Sequence, residues 1–127
     1  MRPGIKNGTV TRIEDAETDT YGFVAYNDAD KEIVIAFRGT NGLDIKNWMM
    51  NLHSERVPYE MEPGALVHLG WYNAYKTIKE SVIRTVQEHL KNHSKASILI
   101  TGHSLGGVLA TFTAIDIKRM LKPKGKI

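Results

Sequence analysis

Residues 97–121 read "SILITGHSLGGVLATFTAIDIKRML". A short apolar run, Ser97 to Thr101, passes within a few residues into a segment with helical spacing from Leu105 to about Leu121. Pro123 and Gly125 stop that helix. A strand delivered this abruptly into a helix is the unit of an α/β sheet. Between them stands Gly102-His103-Ser104-Leu105-Gly106, a G-x-S-x-G pattern. A serine on such a turn projects from the sheet edge, where a substrate can reach it. The backbone is crowded there, and glycines two before and two after the serine remove side chains that would clash. The next helix aims its first N–H groups at an oxyanion, so the N–H of Leu105 is a candidate donor. Chance supplies roughly 0.04 such patterns in a chain of this length. Serine also caps helices. The apolar strand before Ser104 and the small residues Gly106, Gly107 and Ala110 after it favour the nucleophile.

The rest of the chain extends the α/β rhythm. "YGFVAY" (21–26) and "EIVIAF" (32–37) are β-branched and aromatic, and "NDADK" between them is turn chemistry, so an antiparallel hairpin is predicted. The second strand is nearly all apolar, which predicts cover on both faces. Residues 40–55 read as a loop and a short helix, with Asp44 as its N-cap. Residues 56–70, interrupted by Pro58, Pro63 and Gly64, are expected to form a short strand pair or irregular chain. Tyr72, Tyr75, Ile78, Val82, Val86 and Leu90 recur at spacings of three and four, predicting a long amphipathic helix over 71–92. His89 and His93 at its end are expected to be solvated.

Four ordered segments carry a family resemblance. "ILITGHSLGGVLATFTA" resembles the nucleophile elbow of the class 3, fungal-lipase-like branch of the α/β-hydrolases. "KEIVIAFRGTNGLDIKNWMMNL" resembles that family's F-R-G-[ST] strand end and the lid-like helix after it. "VHLGWYNAYKTI" resembles its V-H-x-G-[FW] segment, and "AETDTYGFVAYNDADKEIVIAF" its opening hairpin. The resemblance runs from about residue 15 to 121. It implies that Ser104 is the nucleophile, and that Thr40 and Leu105 form the oxyanion hole. Residues 43–52 match the lid, with Ile45, Trp48 and Met49 as its apolar candidates for contact with a lipid interface. It makes Arg38, His68 and His103 structural. The implied activity is hydrolysis of lipid esters, triacylglycerol lipase-like, with no cofactor and no metal. The alternative is a lipase-fold binding module without catalysis.

A triad needs a base and an acid as well. In α/β-hydrolases these follow the serine in the order Asp or Glu, then His. Downstream of Ser104 the only acid is Asp116, and no histidine follows. Asp116 lies roughly 18 Å along the helix from Ser104 at 1.5 Å per residue, too far to orient a base there. None of His53, His68, His89, His93 and His103 matches a triad base. The expectation is therefore one incomplete α/β-hydrolase domain over 1–127, ending before the Asp and His strands, with Lys126-Ile127 opening the next strand. Such a piece alone is expected to be inactive and aggregation-prone, with an open strand edge.

Composition narrows the remaining classes. No run of 18 apolar residues occurs, so no transmembrane segment is predicted. "MRPGIKNGTV" has no apolar core of a signal peptide. That favours the cytoplasm if Met1 is the true start and leaves secretion open for a longer parent. Cysteine is absent, which excludes disulfides and thiolate metal sites. The net charge of +3 owes its sign to Lys118, Arg119, Lys122, Lys124 and Lys126. These are read as cations at a helix C-terminus and in a solvated loop, too few for a nucleic-acid face.

Overall fold

The computed structural model describes residues 9–16, 20–38, 56–58, 66–102 and 105–127, with the side chains of 56–58, 66–71 and 105 left aside. The strands are β1 (Thr11–Asp15), β2 (Thr20–Asn27), β3 (Glu32–Arg38), β4 (Arg56–Pro58), β5 (Leu66–His68) and β6 (Ser97–Gly102). The helices are α1 (Leu69–Asn92) and α2 (Leu105–Asp116), and a π-helical turn, Ile117–Leu121, extends α2. The main sheet has the order β1-β2-β3-β6. Its first three strands form an antiparallel meander, and β6 joins β3 in parallel. The predicted hairpin is β2 and β3. The predicted strand pair is β4 and β5, a separate two-stranded sheet. The helix expected within 40–55 lies outside the described residues.

Burial follows the sequence pattern. In β3 the consecutive residues Ile33, Val34 and Ile35 are all buried, as a strand covered on both faces requires. The turn before it is held by Asn27, whose side-chain oxygen accepts from the N–H of Ala29 and Asp30 while its amide donates to Asp30. Tyr72, Tyr75, Ile78, Val82 and Val86 of α1 all face the core, and Leu90 packs at its margin. On α2 the buried residues are Gly106, Leu109, Phe112, Thr113 and Asp116, again at spacings of three and four. Thr113 satisfies its buried hydroxyl on the carbonyl of Leu109, at 2.8 Å. Among the described residues β6 is an outer strand, and Leu99 and Ile100 are only half-buried. Ile98 N–H donates to the carbonyl of Lys126 at 2.7 Å along the side of β6 away from β3, the bond a further strand would make. None of the described helices is long and apolar enough to cross a membrane.

Two features depart from the sequence reading. The strand β1 is mostly charged and exposed, with only Ile13 buried, so no apolar pattern announces it. His89 and His93 are not solvated. Both are half-buried against Tyr26 of β2, and the His93 ring stacks on Tyr26 at 3.7 Å between centroids. Tyr26 supplies the apolar surface that the C-terminal turn of α1 would otherwise lack. Burial pushes the His89 pKa below its ordinary 6.5, repulsion with His93 adds to this, and Glu88 opposes it. The sign follows from linkage. The unfolded chain binds the proton more readily, so this part of the stability is present above pH 6.5 and is lost as pH falls through the lower folded value. Thermal unfolding of the complete protein across pH 7.5 to 5 is expected to show a falling midpoint. His89→Gln should flatten that slope, and an equal slope in both proteins would contradict the assignment.

Candidate active site

The parallel pairing of β3 and β6 creates the site. Phe37 on β3 is opposite Gly102 on β6, so both strands end at the same edge of the sheet. The chain continues from that edge into Gly39-Thr40 on one side and His103-Ser104 on the other. In open α/β sheets the carboxyl ends of the strands are where ligands bind. Ser104 and Thr40 themselves, with His103 and the lid candidates Ile45, Trp48 and Met49, lie outside the described residues. Leu105 is described in its backbone only, as the first residue of α2.

The described glycines on either side of Ser104 show how tight the turn is. A Cβ on Gly102 would collide with the carbonyl of Gly106 and approach Gly107 N to 2.8 Å. A Cβ on Gly106 would lie 2.5 Å from the Phe37 carbonyl oxygen and 3.2 Å from the carbonyl carbon of Arg38. Those obstacles are backbone, so no rotamer change relieves them. The two glycines of the G-x-S-x-G pattern therefore do separate jobs. Gly102 lets the strand fold back under the first turn of the helix. Gly106 lets that helix sit directly on the end of β3. Gly107, which the sequence grouped with Gly106, has room for a methyl group, its nearest contact being 3.4 Å. This contact seats the first turn of α2 against the end of β3.

This arrangement of strand, elbow and helix matches a known family. The family description for lipase (class 3) fits residues 34–126. The chain belongs to the class 3 lipase family. A lipase from Rhizomucor miehei is 35% identical over 99 residues, covering 78% of this chain and 27% of that protein. A secreted mono- and diacylglycerol lipase A from Penicillium cyclopium is 27% identical over 110 residues, or 87% of this chain and 35% of that protein. The solved structure of a triacylglycerol lipase with a serine-protease-type triad superposes with a TM-score of 0.80 at 31% identity, over 91% of this chain and 42% of that one. The fold is accordingly that of the α/β-hydrolases. The chain spans between about a quarter and two fifths of the length of these relatives.

Asp116, the one acid between Ser104 and Ile127, makes its contacts at the far end of α2. Its carboxylate is fully buried, accepts a hydrogen bond from the Tyr75 hydroxyl at 2.5 Å and faces Lys79 Nζ at 3.4 Å. Tyr75 stacks on Phe112 one turn earlier on α2, at 5.2 Å. Asp116 thus ties the far end of α2 to α1, a role the sequence reading had not assigned. A buried acid late in an apolar helix is a visible signal, but its partners 37 and 41 positions away are not. Asp116→Ala would remove the acceptor of the Tyr75 hydroxyl bond and the carboxylate that faces Lys79. A loss of about 2–4 kcal/mol is expected. It is measurable as a shift in the urea midpoint of the complete protein, and an unchanged midpoint would show that water replaces the carboxylate without cost.

Proposed function

We propose that the complete protein is a serine carboxylic ester hydrolase acting on acylglycerol-type lipid esters. The observation that carries this reading is the pairing of Phe37 with Gly102, reinforced by Gly106 seated on the end of β3. The candidate nucleophile and the two candidate oxyanion donors belong to segments that follow these two strand ends in sequence. The sampled relatives include lipases and mono- and diacylglycerol lipases. The acylglycerol class is therefore the proposal, and no single glyceride within it.

In this mechanism Ser104 Oγ attacks the ester carbonyl while a histidine from outside residues 1–127 takes its proton. An acid, also outside these residues, holds the histidine in the right tautomer. The tetrahedral oxyanion is held by the N–H groups of Leu105 and Thr40 and by the Thr40 hydroxyl, each donor contributing on the order of 2.7–4 kcal/mol when well placed. The histidine returns the proton to the leaving alcohol, and water then releases the acyl group. N–H donors carry the developing charge, so the chemistry calls for no metal or cofactor. Ile45, Trp48 and Met49 form the apolar lid surface that meets the lipid.

Covalent labelling tests the nucleophile directly. A fluorophosphonate probe should phosphonylate Ser104 of the complete protein, displacing fluoride, and give one modified tryptic peptide spanning residues 96–118. Folded protein that leaves this peptide unmodified would refute the proposal.

A further inference from the structure

A cavity of about 580 Å³ lies between α1 and the π-helical turn that ends α2. Tyr72, Lys76, Lys79, Ile83 and Arg84 of α1 form its walls, together with Met120 of the turn. Small-molecule sites commonly measure about 300–1,000 Å³ and set a few polar groups in an apolar wall. Met120 is roughly 20 Å from Leu105 along the helix axis at 1.5 Å per residue, so this cavity is separate from the elbow. Two observations give it a chemical character. The first is the π turn itself. Ile117–Leu121 is closed by the Lys122 N–H donating to the Ile117 carbonyl at 3.2 Å, and Lys122 leaves the turn with φ of 46°. Such turns are rare and recur at functional sites. This one presents Met120, 48% exposed and one of two exposed large apolar side chains among the described residues. Methionine is unbranched and flexible, and adapts to an apolar guest. The second observation is charge. On the walls Lys76, Lys79 and Arg84 stand against Glu80, and the buried Asp116 lies 3.4 Å from Lys79 Nζ. Three cations and two carboxylates leave a formal charge of +1. Lys79 keeps 24% of its side chain exposed, and its ammonium has three donors, more than Asp116 alone uses. Lys76 is held at the apolar wall, its Nζ 4.9 Å from the centroid of the Tyr72 ring. Arg84 and Glu80 meet only at 3.9 Å with both side chains largely exposed, so that pair is weak and easily exchanged.

We propose that this cavity binds a single-chain aliphatic carboxylate. Lys76 and Lys79, three apart on one face of α1, take the carboxylate, and Tyr72, Ile83 and Met120 line the path of the chain. The net charge of the walls matches a monoanion. The apolar wall beside the cations matches a hydrocarbon tail, and inorganic phosphate would leave it unused. The site stands on the cavity and its charges. Only the identification of its guest as the fatty acid released at Ser104 rests on the ester-hydrolase reading above.

The test titrates sodium decanoate, below its micellar concentration, into the complete protein with Ser104 blocked by the fluorophosphonate. Calorimetry is expected to show one saturable site. Decanol lacks the charge and inorganic phosphate lacks the chain, so each should bind at least about tenfold more weakly. Met120→Glu removes part of the apolar wall and adds a like charge, and should weaken decanoate by about tenfold or more. Lys76→Glu should do the same while leaving the Lys79–Asp116 pair in place. Both positions are exposed, so unchanged melting curves are expected for the two variants. No saturable binding, as when other parts of the complete protein fill the cavity, would overturn the site. Equal affinity for phosphate, or an affinity indifferent to both substitutions, would also overturn it. So would Met120-dependent adsorption to phosphatidylglycerol vesicles without decanoate binding, which would make this face a membrane contact. Decanoate binding that responds to both substitutions in a protein whose Ser104 refuses the fluorophosphonate would keep the site and remove its link to the reaction. A labelled, active protein without a decanoate site would sink the site alone.

Discussion

Ser104→Ala in the complete protein is expected to lower kcat on a soluble nitrophenyl ester by about 10⁴-fold or more, with the thermal midpoint unchanged or slightly raised. The size follows from the loss of the proposed nucleophile; single knockouts of a triad serine elsewhere reach about 10⁶-fold. What remains is catalysis by the oxyanion donors and by binding alone. Stability should not suffer, because the crowding at this turn is relieved by Gly102 and Gly106 and alanine adds no atom. Kinetics and a melting curve on the same preparation check both halves. A variant that keeps a tenth of wild-type turnover would place the nucleophile elsewhere and remove the basis of the proposed function.

Gly106→Ala should damage both turnover and stability, which separates it from Ser104→Ala. The added methyl would stand 2.5 Å from the Phe37 carbonyl oxygen. Neither β3 nor the first turn of α2 can yield without shifting backbone, so overpacking of about 1–3 kcal/mol is expected. The shift displaces Leu105, the proposed oxyanion donor, and a displacement of about 1 Å can cost about 10²-fold in rate. Gly107→Ala is the matched control. Its methyl meets nothing closer than 3.4 Å, and alanine favours the helix by up to about 1 kcal/mol. Gly107→Ala should therefore keep its turnover and melt no lower than wild type. Equal behaviour of the two alanine variants would show that α2 does not rest on β3 as described.

Much of this architecture was legible before any coordinates. The β2–β3 hairpin, the long helix α1 and the strand-to-helix passage at 97–121 each announce themselves by local patterns. Alternation or uniform apolarity marks the strands, and spacings of three and four mark the helices. The charged strand β1 was not legible, because an edge strand needs only one buried residue, Ile13, and pairs through its backbone. The packing of His89 and His93 was also hidden. Both are polar residues near a helix end, and only the fold brings Tyr26 of β2 across them.

The sequence by itself determined that Ser104 sits between two glycines at a strand-to-helix turn, because that requirement is local and depends on residues two positions away. It also determined that Asp116 is too far along the same helix to serve as its acid, since helical rise is a constant. Only the tertiary structure decided which glycine meets which obstacle. Gly106 is held clear of a side chain by the Phe37 backbone, far from it in sequence, whereas Gly107 has room for a Cβ. Only the structure tied Asp116 to Tyr75 and Lys79, and stacked Arg38 on Tyr21. Those contacts depend on strand register and helix docking, which are set by the burial of whole faces and leave no trace in the spacing of any one segment.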